Sequence, residues 1–248
     1  MTPSDTPFLA ARGLSKRFAH VTALEDVDLD IHRGEVLALV GDNGAGKSTL
    51  IKILSGVHQP DRGEIKVEDQ PTRLSNPHRA RELGIATVFQ NLALVDLRDV
   101  AANLYLGREP VKWRWFVDRA AMMEGARKVV ADLKVNIPSL TAEVGQLSGG
   151  QRQSIAIGRA TSQNGRVIIM DEPTAALGVK ESRKVLDLIL RLKAQGTGII
   201  IVSHNMRHVF SIADRIAVLR RGKNVGVRKR SETTPDEIVK MIVGIDTV

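Results

Sequence analysis

The strongest constraint on the fold is a junction near the N-terminus. Val36-Leu-Ala-Leu-Val40 runs directly into Gly41-Asp-Asn-Gly-Ala-Gly-Lys-Ser-Thr49. Five apolar residues without alternation predict a strand buried on both faces, which is the condition of a parallel sheet covered by helices. Gly41-x4-Gly46-Lys47-Ser48 fits the phosphate-loop pattern. The glycines Gly41, Gly44 and Gly46 let successive backbone N–H groups turn toward one anion, with Asn43 between them. The helix that follows adds its positive end. Lys47 would reach the β- and γ-phosphates of a nucleotide, and the Ser48 hydroxyl, beside Thr49, would ligate Mg²⁺. A glycine-rich turn without nucleotide is the plain alternative, but the flanking strand and the helix-forming Leu50, Ile51, Ile53 and Leu54 supply the context that the loop needs.

The rest of the chain is consistent with an α/β class. Residues 1–7 are expected to be a loose terminus. Residues 8–18 and 24–40 read as short strands. Leu24, Val27, Leu29 and Ile31 are apolar with Asp26, Asp28 and Asp30 among them, the pattern of a half-buried strand. The stretch 32–35 is a turn, and 63–67 is a further strand. Residues 77–83 predict a helix capped by Asn76 with Pro77 at its first position, and 85–89 a strand. Between 91 and 160 strand runs vanish and helical spacing takes over. Ala126, Val129, Val130 and Leu133 form one stripe of a helix over 118–133. Strands at 167–170, 199–202 and 216–219 then alternate with helices at 180–194 and 206–213. The last helix opens on a capping box, with Thr234 as cap and Glu237 three residues on. The division expected is a single domain over 1–248, with an α/β core at 1–90 and 160–248 and a helical subdomain at 91–159.

The 248 residues are 43% apolar and contain no cysteine. That content supports a core and excludes wholesale disorder. The missing cysteines exclude disulfides, thiolate metal sites and a cysteine nucleophile. No apolar run reaches the roughly 20 residues of a spanning helix, and no secretory leader is apparent. The formal net charge is +8.

Two further segments carry chemistry. Val167-Ile-Ile-Met170 ends in Asp171 and Glu172, two carboxylates at the C-terminal end of a buried strand, where open α/β sheets bind ligands. Asp171 suits a Mg²⁺ shell, and Glu172 suits a general base for an attacking water. Standing alone, the pair would be a solvated strand end; the phosphate loop gives it meaning. Leu147-Ser148-Gly149-Gly150-Gln151 places a good N-cap and open backbone N–H groups at a helix start, a second anion site.

Taken together, these motifs resemble the ATP-binding cassette of ABC transporters over roughly residues 8–243. They match in order: the Walker A loop at 41–48, a Q-loop glutamine at Gln90, the LSGGQ motif at 147–151, Walker B with Asp171 and Glu172, and an H-loop histidine at His204. The resemblance implies a P-loop NTPase core with a mixed sheet, an N-terminal antiparallel β portion and a helical subdomain. It implies ATP and Mg²⁺ as cofactors. Ser148, Gly149, Gly150 and Gln151 would bind the γ-phosphate of ATP held by a second copy of the chain, in a head-to-tail sandwich. Phe18 would stack on adenine. Gln90 would sense the γ-phosphate and the Mg²⁺ and link to the membrane partner, and His204 would contact the γ-phosphate and Glu172. The remaining histidines, His20, His32, His58, His78 and His208, read as surface residues. One departure stands out: Gly178 occupies the place where the family's D-loop usually has Asp.

Thr174-Ala-Ala-Leu-Gly-Val-Lys180, Gly84-Ile-Ala and Asn103-Leu-Tyr-Leu-Gly107 resemble cassettes of ribose, xylose and fructose importers. The implied protein is a cytoplasmic ATPase peripheral to the inner face of the cell membrane. Its partners would be transmembrane permease subunits and, indirectly, a substrate-binding protein, with no nucleic acid. The alternative is a soluble cassette acting on nucleic acid or an assembly complex, against which stands the short stretch between Gln90 and Leu147. Trp113-Arg-Trp115-Phe116 holds three of the eight aromatics; it is either core of the helical subdomain or a permease-facing patch. Residues 206–230 hold eight Lys and Arg against Asp214. That stretch reads as a solvated basic hairpin near anionic lipid heads.

Overall fold

The computed structural model describes residues 6–113, 115–162 and 165–245. The expected loose terminus falls largely outside this range, as does Arg114 of the aromatic segment.

The chain opens with β1 (Leu9–Phe18) and β2 (Val21–Ile31), followed by β3 (Val36–Val40), α1 (Lys47–Leu54), β4 (Arg62–Val67) and β5 (Gln70–Pro71). After α2 (Pro77–Glu82) and β6 (Ile85–Val88) come α3 (Val100–Tyr105), β7 (Val111–Lys112), β8 (Phe116–Val117), α4 (Arg119–Leu133) and α5 (Gly149–Thr161). The remainder is β9 (Val167–Asp171), α6 (Val179–Ala194), β10 (Gly198–Val202), α7 (Met206–Ile212), β11 (Arg215–Arg220), β12 (Lys223–Lys229) and α8 (Pro235–Val243).

Two sheets dominate. The larger runs β12-β11-β3-β10-β9-β6, and the smaller, antiparallel sheet runs β2-β1-β4-β5. In the larger one, β3 pairs in parallel with β10 and β11, and β9 pairs in parallel with β10 and β6. The absence of alternation in its strands has a direct cause: both faces are covered. Leu37, Leu39, Val167, Ile169, Ile200 and Val202 pack with the antiparallel sheet and the buried face of α1. Their neighbours Val36, Ala38, Val40, Ile168, Met170, Ile199 and Ile201 pack with α5, α6, α7 and Ile238 of α8. A third cluster, Val100, Leu104, Met122, Ala126, Val144 and Ile155 among it, joins α3, α4 and α5.

In β2 a strict period of two would put Leu24 and Val27 on opposite faces. Asp26, at φ +53°, absorbs the extra residue: β1 pairs Leu14 with Val27 and Lys16 with Leu24. This bulge brings both side chains into the core.

Three expectations are corrected. Strand structure does not vanish from the helical region, because β7 and β8 form a two-stranded ribbon there. The box at Thr234 is only half formed. Thr234 accepts the Glu237 backbone N–H at 3.3 Å, while the Glu237 carboxylate turns to Arg228 and Thr233. The reciprocal box lies instead at Ser148 and Gln151. The basic stretch is a hairpin, but β11 is a buried strand of the main sheet and much of the charge is paired. Arg215 meets Glu35, Lys223 meets Glu25, Arg228 meets Glu237 and Lys229 meets Glu232, all within 3.2 Å.

Candidate functional site

Parallel pairing sets the C-terminal ends of β3, β6, β9 and β10 on one edge of the sheet. The phosphate loop, Gln90, the Asp171–Glu172 pair and His204 each lie at or just past one of those ends. The loop after β3 wraps tightly. A side-chain carbon on Gly41, at φ +153°, would lie 2.1 Å from the Leu219 carbonyl oxygen; one on Gly46, at φ +103°, would lie 2.5 Å from that of Ala23. Only glycine fits at either position. Gly222 N–H donates to the Ala45 carbonyl at 3.0 Å, so the loop is braced by β2 on one side and by the β11–β12 turn on the other.

Gly46 is the N-cap of α1, and no side chain caps the helix. The helix start is therefore left to backbone N–H groups and the positive end of its dipole. The Lys47 ammonium donates to the Gly41 and Asp42 carbonyls at 2.7 and 2.8 Å, folding back over the loop. Burial pulls Lys47 below its usual range, while Glu172, Asp42 and Asp171 pull the other way.

Asp171 ends β9, half-buried. Burial first, and then the charge of Glu172, hold its carboxyl above the usual carboxylate range; Lys47 and Lys52 oppose both. Glu172 follows in the left-handed region at φ +50°, a strained conformation that aims its side chain across to the end of β10. There the carboxylate accepts the His204 backbone N–H at 3.1 Å and the His204 ring Nδ1–H at 2.8 Å. With Nδ1 as donor, the imidazole leaves Nε2 on its far side, and the ring is mostly exposed.

Two carboxylates beside one half-buried ammonium make a site that welcomes a further positive charge. Among the described residues, no three His, Cys, Asp or Glu cluster closely enough to cage a metal. The oxygen donors expected from the sequence are instead the Ser48 hydroxyl, the Asp171 carboxylate and the amide of Gln90, which is exposed just past β6. This hard-oxygen set fits an ion that keeps water and phosphate oxygens among its ligands, as Mg²⁺ does.

Ser148 and Gln151 are not brought to this edge. Ser148 Oγ accepts the Gln151 N–H at 3.4 Å, Gln151 Oε1 accepts the Ser148 N–H at 3.0 Å, and Gln151 Nε2 donates to the Asn136 carbonyl. Gly149 and Gly150 lie against Leu177 and Glu181 at the start of α6. Ser148, Gly150 and Gln151 line a cavity of about 360 Å³ with Lys134, Glu181 and Arg191, away from the loop residues.

Phe18 is no core residue. It is 41% exposed, its ring 5.3 Å edge-on from His58, with the Lys16 ammonium 5.5 Å from its centroid. His208 is not a surface residue either. Half-buried, its Nδ1 shares a 2.9 Å hydrogen bond with buried Thr174 Oγ1, tying α7 to the segment after Glu172.

Sequence reasoning passed over the residues that hold the chain after Gln90. Arg159 of α5 donates to the Leu92 and Ala93 carbonyls at 2.8 and 2.9 Å. Asn103, wholly buried, accepts the Val95 N–H and donates to the Val95, Arg98 and Asp99 carbonyls. A polar Asn inside the apolar helix 100–105 was the available signal.

Comparison with known proteins places these features in a wider setting. The ABC transporter family profile matches residues 24–175. The fructose import ATP-binding protein FrcA of Rhizobium meliloti is 48% identical over 245 residues, covering 96% of this chain and 94% of that one. The xylose/arabinose import ATP-binding protein XylG of Sulfolobus acidocaldarius is 46% identical, covering 94% and 93%. A ribose import ATP-binding protein, RbsA 1 of Rubrobacter xylanophilus, is 44% identical, but the chain spans only 47% of its length. Among solved structures, a nucleotide-free ATP-binding cassette from an ABC transporter superposes with a TM-score of 0.84 at 27% identity, covering 96% of both chains. A dimeric ATP-binding cassette in a post-hydrolysis state with ADP and Pi superposes with a TM-score of 0.76 at 25% identity, covering 90% of this chain and 98% of that one.

Proposed function

The chain belongs to the ABC transporter family, and from that premise we propose that it is the ATP-binding and ATP-hydrolysing subunit that energises a membrane permease for monosaccharide import. One observation carries the catalytic half of this reading: the phosphate loop with Lys47, the Asp171–Glu172 pair and His204 leave one sheet edge together. The transported class rests on the fructose and xylose/arabinose import proteins that match nearly end to end.

In this reading the loop N–H groups and Lys47 hold the β- and γ-phosphates. Lys47 exchanges its bonds to the Gly41 and Asp42 carbonyls for phosphate oxygens. The exposed face of Phe18 takes the adenine. Ser48, Asp171 and Gln90 hold Mg²⁺, which supplies charge neutralisation at the phosphates. Glu172 orients and deprotonates the attacking water, and His204 keeps that carboxylate in place while Nε2 faces the γ-phosphate. The exposed N-terminus of α5, with Ser148, Gly149, Gly150 and Gln151, serves the ATP of a second copy in a head-to-tail dimer. Its separation from the chain's own loop supports that arrangement, and the dimeric cassette above shares the fold.

The chain would sit on the cytoplasmic face of the membrane with the transmembrane permease beside Gln90, and a substrate-binding protein would act through that permease. The soluble alternative, with nucleic acid or an assembly complex as target, draws on the net charge of +8. Four of the C-terminal basic residues behind that charge already have carboxylate partners.

The test is reconstitution with a monosaccharide permease in proteoliposomes containing ATP. Sugar uptake that needs ATP, and that Lys47→Ala abolishes, is the expected result. ATP hydrolysis that no sugar permease stimulates, together with tight salt-sensitive binding of DNA or RNA, would overturn the reading.

A further inference from the structure

The β7–β8 ribbon carries an apolar surface that the folded chain does not cover. Trp113 and Trp115, at its turn, are 87% and 85% exposed, and Phe116 is 73% exposed. Val111 and Val117, also exposed, pair directly across the ribbon, as do Lys112 and Phe116. Directly opposed residues share a face and successive residues alternate. The valines therefore occupy one face and Phe116 the other, with both indoles at the tip.

An apolar surface of this kind on a soluble face marks an interaction site, and its shape selects the occupant. A protein groove covers one face of a ribbon. A ribbon apolar on both faces and at its tip suits a medium that closes around it. Indole rings, apolar in body with one N–H donor, concentrate at the headgroup level of bilayers. The charge of the sequence agrees with an anionic lipid: residues 108–119 hold four Lys and Arg against Glu109 and Asp118, with Lys112 paired to Asp118 and Arg119 to Asp99. Both acids are engaged locally, Asp118 as the α4 cap and ion partner of Lys112, and Glu109 with the Gly107 N–H.

The ribbon is rigidly based for so short an element. Asp118 N–H donates to the Pro110 carbonyl at 2.6 Å, and Asp118 caps α4 through the Ala121 N–H. Its base is also continuous with the surface beside Gln90. Leu106 lines one cleft with Thr87 and Phe89 and another with Val117 and Met122.

We propose that the β7–β8 ribbon is a membrane-surface anchor that inserts Trp113, Trp115 and Phe116 among the headgroups of an anionic bilayer, next to the surface that meets the permease. The placement beside the permease rests on the function proposed above; the lipid contact does not.

Trp113 and Trp115 are the only tryptophans in the chain, so intrinsic tryptophan emission reports on the ribbon alone. The full-length protein, without nucleotide, is mixed with phosphatidylglycerol–phosphatidylcholine vesicles and, separately, with pure phosphatidylcholine vesicles. The expected result is a blue shift and co-flotation with the anionic vesicles, weakened by salt. In flotation, Trp113→Ser combined with Trp115→Ser lowers vesicle partitioning by about tenfold or more, with the circular dichroism spectrum and ATP hydrolysis retained.

Four outcomes overturn the proposal: no shift with any vesicle, or a double variant that partitions like the parent; a shift only with membranes that carry the permease, which assigns the patch to that protein; or a shift without lipid that grows with protein concentration, which assigns it to a second copy. Loss of ATP hydrolysis in the parent chain would count against the proposed function and leave the vesicle result standing.

Discussion

Glu172 and His204 are bound twice: one carboxylate oxygen takes both the backbone N–H and the ring Nδ1–H of the histidine, at 3.1 and 2.8 Å. The carboxylate thereby has a fixed direction although its own backbone is strained at φ +50°. Because the backbone contact does not depend on the ring, the two residues separate in their consequences. Glu172→Gln removes the proton acceptor and keeps the geometry. It should bind ATP with parental affinity while kcat falls by about 10²–10⁴-fold, and it should accumulate as an ATP-bound dimer on gel filtration. Rapid turnover by this variant would remove Glu172 from the role of base.

Asp171 should cost the empty protein stability at neutral pH. Its folded carboxyl titrates above the usual range, first because of burial and then because of Glu172. The folded state therefore holds its proton to a higher pH than the unfolded state does. As pH rises from the ordinary carboxylate range through the raised value, stability is lost, and it is not regained above that value. Asp171→Asn should therefore raise the melting temperature of the nucleotide-free protein at pH 7. The gain should shrink as pH falls into the ordinary Asp range, which thermal melts across that window would read. A variant equally or less stable at neutral pH would contradict this account.

The Gln90 side of the site depends on a residue that touches no ligand. Asn103→Leu would leave the Val95 N–H without its partner and remove one bond each from the Val95, Arg98 and Asp99 carbonyls, which keep backbone bonds from Arg98, Val144 and Asn103. The expected loss is about 1–3 kcal/mol for the one group left unpaired, the Val95 N–H, seen as a lower urea midpoint. Hydrogen exchange should show the loosening concentrated at residues 92–99 rather than across the sheet. Uniform loss of protection would point to a general core defect instead.

Gly178, where an Asp is usual in the family, is the N-cap of α6 in extended conformation, with no side-chain cap and open space where a Cβ would sit. Gly178→Asp should accept an N–H of the first turn and place a negative charge at the helix's positive end. The gain is a few tenths of a kcal/mol, about 1–2 °C in melting temperature for a chain of this size. A lower melting temperature would show that glycine is held there by something other than local helix geometry.

The main sheet was legible in the sequence because its strands are covered on both sides. Val36-Leu-Ala-Leu-Val40 and Ile199-Ile-Ile-Val202 carry that fact as unbroken apolar runs. The candidate residues were legible as residue types at strand ends, and the order of strands puts those ends on one edge. What escaped was decided by partners distant in sequence. Arg215 looked like free charge until Glu35 lay beside it. His208 looked like a surface histidine until Thr174 met it. The ribbon 111–117 escaped for a different reason: two-residue strands carry too little pattern to be read.

The bracing of the phosphate loop has a consequence for the order of events in synthesis. The floor under Gly41 is the Leu219 carbonyl, Gly222 holds Ala45, and the central strand of the sheet takes its two neighbours from 198–202 and 215–220. A ribosome that has made the loop has most of the chain still to make before that floor exists. The nascent protein must therefore carry Val36-Leu-Ala-Leu-Val40 unpaired and apolar for many seconds, since elongation adds about 5–20 residues per second. Nucleotide can first be held in a formed pocket only when the C-terminal hairpin emerges, so a chain cut short before Gly222 should leave the ribosome unable to bind ATP and dependent on chaperones.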